Sequence, residues 1–172
     1  LRTIYPIINI QGEYGYYEVG NKQEPYGKVL LMVKQSVPIF SGKLKYLIES
    51  GYVFGDVPFP LLESPRGTRG IWFPEYDFCL INQMEFMTDA YIMGNFRYIT
   101  SGWIFNYIPW VKKANLREEV LFKIAYGGLR NGHNNILELP VNSAGIDVPY
   151  MEAGIGISNI LKLFSVQSVW RL

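Results

Sequence analysis

The chain has 172 residues, 49% hydrophobic and 18% charged, which excludes intrinsic disorder and fits one domain of ordinary size. A formal net charge of +1 gives no electrostatic case for a nucleic-acid partner, and the single Cys79 excludes an intramolecular disulfide or a zinc ribbon. No run approaches about 18 apolar residues, so no transmembrane helix is expected. No signal peptide is visible, and the strand-like start at Leu1 leads us to expect one segment, 1–172, of a longer polypeptide.

Thr3–Glu13 alternates Ile4, Pro6, Ile8 and Ile10 with Tyr5, Ile7, Asn9 and Gln11, a strand whose proline marks an edge or an end. Gly15–Tyr26 is polar, contains Gly and Pro, and reads as a loop. Lys28–Val37 is the second strand. Lys43–Phe54 is the clearest: Leu44, Tyr46, Ile48, Tyr52 and Phe54 share one parity, and Lys43, Lys45, Leu47, Glu49, Gly51 and Val53 the other. Successive strand residues point to opposite faces, and at about 3.3 Å each this strand spans nearly 40 Å. Globular strands usually have about 5–6 residues, whereas a membrane-spanning strand needs about 9–11.

Gly55–Phe78 reads as a long irregular loop with Pro65-Arg66-Gly67-Thr68-Arg69-Gly70 at its centre. Cys79–Thr88 reads as the fourth strand, followed by a tight turn at Asp89–Tyr91 and a strand at Ile92–Thr100. Gly102–Leu116 is an apolar connection. Arg117–Tyr126 alternates as a strand, with a helix over Lys112–Arg130 as the alternative because Arg-Glu-Glu-Val-Leu-Phe-Lys-Ile-Ala has good helix formers. A loop at Gly127–Pro149 leads to Tyr150–Ser158, a turn, and a last strand at Ser165–Leu172. The sum is eight antiparallel strands.

Alternation alone does not say which face is outside. A soluble eight-stranded barrel has an interior just wide enough for side chains to fill. The apolar parities here carry Tyr46, Tyr52, Phe54, Phe96, Tyr98, Phe122, Tyr126 and Trp170, which crowds such an interior. The opposite parities carry Gly51, Glu85, Arg97, Lys123, Glu152, Gly154 and Gly156. Large groups outside and small or charged groups inside is the membrane-barrel arrangement. We therefore expect an all-β, antiparallel up-and-down transmembrane barrel segment. A soluble β-rich binding module with aromatic loops is the alternative.

Tyr52-Val-Phe-Gly-Asp-Val-Pro-Phe-Pro-Leu-Leu-Glu63, Leu80-Ile-Asn-Gln-Met-Glu-Phe-Met-Thr-Asp-Ala-Tyr91, Tyr107–Val120 and Pro149–Leu172 together resemble one family. It comprises large outer-membrane proteins of Bacteroidota with an N-terminal carboxypeptidase-regulatory-like domain and a C-terminal barrel of unknown function. The resemblance covers most of Tyr5–Leu172. It implies an outer-membrane location and no enzymatic activity; we expect the lipid bilayer and other outer-membrane or periplasmic proteins as partners, and no cofactor. The regulatory-like domain has no counterpart here. A more distant similarity runs to assembly barrels of the BamA and TamA type, in which an Arg-Gly loop folds into the lumen before a strand with an inward Glu. The Arg66–Gly70 stretch followed by Glu85 is similar in order, but the aromatic expected after Arg-Gly is missing. That similarity implies the C-terminal half of a larger barrel.

His133 in an Asn/Gly loop reads as a solvated residue, and Cys79 as a small apolar filler. Gly127-Gly-Leu-Arg-Asn-Gly132 lacks the Lys-Ser/Thr of a phosphate loop, and Ser64 and Ser143 lack a nucleophile elbow. No catalytic, cofactor or metal residue is expected. Two expectations concern the polar face. Glu85 and Arg97 should be diagonal neighbours across a turn at Asp89–Tyr91. Arg66 or Arg69 should bind an inward carboxylate, Glu85 or Glu152, as the long loop folds back over or into the barrel.

Overall fold

A computed structural model of the chain describes residues 5–19, 22–67, 75–82, 84–130 and 143–172. These residues form one antiparallel sheet of seven strands in the order of the chain: β1 (Ile7–Val19), β2 (Lys22–Ile39), β3 (Gly42–Phe54), β4 (Ala90–Thr100), β5 (Arg117–Gly128), β6 (Ile146–Ile160) and β7 (Phe164–Arg171). Every neighbouring pair is antiparallel. Among the described residues β1 and β7 do not pair with each other, and the sheet stays open. The expected all-β, antiparallel, up-and-down pattern is present, with seven strands instead of eight.

Three differences from the sequence reading have physical reasons. Gly15–Tyr26 is not a loop, because pairing continues without a break to Val19 opposite Lys22. Gly15 sits opposite Tyr26, whose ring fills the space a side chain would take, so the glycine is covered by a cross-strand aromatic. Cys79–Thr88 is not a strand. Among the described residues its only strand-like pairing is through isolated bridges, Glu63 with Thr88 and Phe86 with Ala144, and Met84 has φ of +59°. Its backbone amides find side-chain carboxylates instead of a ladder, as described below. Finally, Asp89–Tyr91 is not a turn: β4 begins at Ala90 and pairs with β3. The stretch Arg117–Tyr126 is strand, so the helical alternative does not hold. The connection between β4 and β5 contains a 3-10 turn, Phe105–Tyr107, and one short helix, α1 (Pro109–Lys112).

Directly opposed residues in an antiparallel ladder share a face, so the register assigns both faces. On one, Ile10, Leu31, Ser50, Ile92 and Tyr126 form a row across five strands. Gln35, Tyr46, Phe96, Phe122, Ala153 and Trp170 form another. From β2 to β5 the only charged residue on this face is Glu118, at the start of β5. On the other face, Lys34, Leu47, Asn95, Lys123, Glu152 and Arg171 make a row, and Met32, Glu49, Met93, Ala125 and Tyr150 its neighbour.

The second face is the covered one. The described residues of 55–89 fold back across it, bringing Val57, Leu62 and Met87 against Val53. Phe78 and Ile81 pack with Tyr91, Met93, Ala125, Ile146 and Tyr150. Charged and polar wall residues are buried along with them: Glu49, Asn95, Glu119, Lys123 and Glu152. The first face has no such cover. Ile10 is 72% exposed, Ile92 52%, Val120 51% and Trp170 50%. The covered face thus buries charged groups alongside apolar ones such as Leu47, Met93 and Leu121, while the first face leaves large apolar groups exposed.

Candidate functional site

The site is the contact between the polar sheet face and the segment that fills it. The segment leaves β3 at Gly55, whose φ of +85° favours glycine. Val57 turns inward, and Pro58 precedes a 3-10 turn at Phe59–Leu61. Glu63 and Thr88 then exchange two backbone hydrogen bonds of 3.0 and 2.8 Å, closing the segment into a loop. Lys28 of β2 anchors this neck with a 3.0 Å ion pair to Glu63. At the mouth, Arg130 donates to the Asp89 carboxylate and, at 2.7 Å, to the Val53 carbonyl. One side chain thus ties the end of β3 to the start of β4.

Deeper in, Arg66 Nη2 lies 2.7 Å from Glu49 Oε2 on β3, and Arg66 Nε lies 3.7 Å from Asp77. The Glu49 side chain is 8% exposed and also accepts the Tyr91 hydroxyl at 3.0 Å. Gly51 makes room for this: a β-carbon there would come within 2.4 Å of the Tyr91 ring. Glu152, on β6, is 1% exposed. Its two oxygens accept the backbone N–H groups of Cys79 and Leu80 at 2.9 and 2.8 Å, and Oε1 also accepts the Tyr150 hydroxyl. Lys123 donates to the Asp77 carbonyl and approaches Cys79 Sγ at 3.2 Å. The wall therefore holds residues 77–80 through charged side chains directed at backbone, which explains why the segment needs no strand partner.

The residues singled out from the sequence fall as follows. Arg66 reaches an inward carboxylate, but that carboxylate is Glu49 and neither Glu85 nor Glu152. Arg69 and His133 lie outside the described residues. Glu85 and Arg97 are not partners. With no strand at Cys79–Thr88, the neighbours of Arg97 across the ladder are Lys45 and Leu121, and its guanidinium donates to the Glu75 carbonyl at 3.3 Å. Glu85 pairs instead with Arg171 of β7 at 2.8 Å and accepts the Asn82 N–H at 2.9 Å. Burial pushes the Glu85 carboxyl up, but the Asn82 N–H and the Arg171 guanidinium outweigh it and hold the group below the ordinary carboxylate value. Glu119 accepts the Gln167 amide rather than a cation.

Sequence reasoning missed Glu49 as the arginine's partner and Lys123 as a support. The available signal was parity: Glu49 is the one carboxylate on the polar parity of β3. No group of three or more His, Cys, Asp and Glu side chains able to hold a metal occurs among the described residues. Chemically the arrangement holds polypeptide in place. Its carboxylates are occupied by arginine, tyrosine and backbone donors.

Comparison with known proteins places the chain nowhere. It matches no protein-family model, no curated protein and no solved structure.

Proposed function

We propose that this chain is a non-enzymatic segment of an outer-membrane β-barrel, with the described residues of 55–89 plugging its polar side. The observation that carries the reading is the contrast between the faces. The uncovered one is uncharged from β2 to β4, and the covered one buries Glu49, Glu119, Lys123 and Glu152. In water an apolar surface of this extent is an association liability; against lipid it is the required surface. Aromatic rings gather toward two levels of that face, Tyr14, Tyr16, Tyr52 and Phe54 at one and Tyr46, Phe96, Tyr98, Phe122 and Trp170 at the other. Tyr52 and Tyr46 lie six residues apart on β3, about 20 Å at strand rise. Ile8, Ile10, Leu31, Val33, Ile48, Ile92 and Ile124 lie between the two groups, as in the apolar band of a membrane barrel.

Lipid does not tolerate unpaired strand edges. The edges at β1 and β7 are closed, on this reading, by further strands of the same or another polypeptide. The family resemblance of Tyr52–Glu63, Leu80–Tyr91, Tyr107–Val120 and Pro149–Leu172 adds the outer membrane as location; protein assembly, export or solute passage is the class of role that fits a non-enzymatic barrel there. The test is extraction. Expressed with its native surroundings, the chain should stay with membranes through an alkaline wash and leave them only with detergent. Recovery as a monodisperse protein in detergent-free buffer would overturn the proposal in favour of a soluble binding module.

A further inference from the structure

At the end of the sheet opposite the plug's mouth, three connections meet: the β2–β3 turn, the β4–β5 connection and the β6–β7 turn. Between the last two lies a cleft of about 370 Å³, whose lining includes Ser101, Asn115, Arg117, Asn159 and Lys162. Asn159 donates to the Asn115 carbonyl at 2.7 Å and fixes one wall against the other. Arg117 and Lys162 both line this space, and neither has an ion-pair partner among the described residues. The nearest carboxylate in sequence, Glu118, is committed elsewhere: it accepts the backbone N–H groups of Trp103, Ile104 and Phe105. The cleft thus carries two cations with no ion-pair partner among the described residues.

The rim is apolar and projects outward. Tyr107, next in the chain to the lining residue Asn106, is 88% exposed, and Leu161 and Leu163, on either side of Lys162, are 78% and 80% exposed. The β6–β7 turn adopts a costly backbone to present these tips, since Asn159, Leu161 and Lys162 all have φ between +52° and +64°. Large apolar tips around a cationic cleft are the chemistry of a surface that meets headgroups and acyl chains together. We propose that this cleft binds the phosphate of an amphiphile, with Arg117 and Lys162 on the phosphate oxygens and Tyr107, Leu161 and Leu163 against its acyl chains. The inference deepens the membrane reading above and rests on it for the orientation of the chain.

The test uses the full chain in uncharged maltoside micelles, titrated with dihexanoylphosphatidic acid and followed by the phosphorus NMR line of the ligand. Saturable broadening is expected. Dihexanoylglycerol should fail to compete, and inorganic phosphate should bind at least tenfold more weakly. The double variant Arg117→Gln/Lys162→Gln should lose at least tenfold in affinity, and Lys22→Gln, at the other end of the sheet, should lose none. Should the double variant misfold, Lys162→Gln alone, at an exposed turn, should lose about threefold. Unchanged affinity in the folded variants, competition by the diglyceride, or equally tight binding of inorganic phosphate would overturn the site. Detergent dependence is scored separately. A chain that needs detergent but binds independently of Arg117 and Lys162 rejects the site alone. A water-soluble chain that binds through them keeps the site and rejects the membrane reading.

Discussion

Replacing Arg66 by alanine tests the plug at its deepest charged contact. The variant leaves Glu49 almost fully buried with Tyr91 as its remaining donor. Breaking a buried ion pair by removing one partner costs about 3–5 kcal/mol when both groups are dry. Arg66 is about half exposed, so solvent screens the pair and the lower part of that scale, or less, applies. We expect about 1–2 kcal/mol, which displaces the equilibrium between seated and released segment roughly five- to thirtyfold. The sheet does not depend on Arg66 for any ladder bond, so the loss should be local. Limited proteolysis with thermolysin in detergent reads it, because cleavage tracks the open population when reclosing is fast. Cuts within 55–67 should appear five- to thirtyfold faster, with strand circular dichroism unchanged. Equal cleavage of the two proteins would refute the reasoning, as would loss of the whole sheet. A double-mutant cycle with Glu49→Gln should return a coupling of similar size.

Two further outcomes follow from the same wall. Glu152→Ala removes the acceptor for the Cys79 and Leu80 amides and the Tyr150 hydroxyl; stranding them should cost about 2–4 kcal/mol in urea unfolding. The Glu85–Arg171 contact should show in acid. The carboxyl is held below its ordinary value of 4.5 in the folded chain, so its contribution is complete above that pH. It declines as pH falls toward the folded value and is gone beneath it. Hydrogen exchange in β7 should accelerate over that acidic range, and Arg171→Ala should flatten the dependence; an unchanged pH profile in the variant would count against the contact.

The strands were legible where one strand carries an unbroken contrast between its faces. Lys43–Phe54 is the case in point: one parity is bulky and apolar except for Ser50, and the other carries Lys43, Lys45 and Glu49 beside Leu47, Gly51 and Val53. The β1–β2 hairpin was not legible because Gly15 and Pro25 are turn formers locally, and only the Tyr26 ring across the strand makes Gly15 fit the ladder. Cys79–Thr88 misled for the opposite reason. Its short alternation is genuine, but its amides are satisfied by Glu152, more than seventy residues away, and no local pattern contains that bond. Arg66 stood out as a cation among glycine, proline and apolar residues. Its partner did not, because Glu49 becomes its neighbour only once the sheet's register brings β3 beneath the folded-back segment.

The claim on which the account rests is that the uncovered face meets lipid. Trp170 reports on it, being half exposed on that face and opposite Ala153 in the ladder. With Trp72, Trp103 and Trp110 replaced by phenylalanine and the chain reconstituted in phosphatidylcholine vesicles, Trp170 should be quenched by nitroxide-labelled acyl chains and shielded from iodide. Strong iodide quenching, with no effect of the nitroxide, would contradict the account.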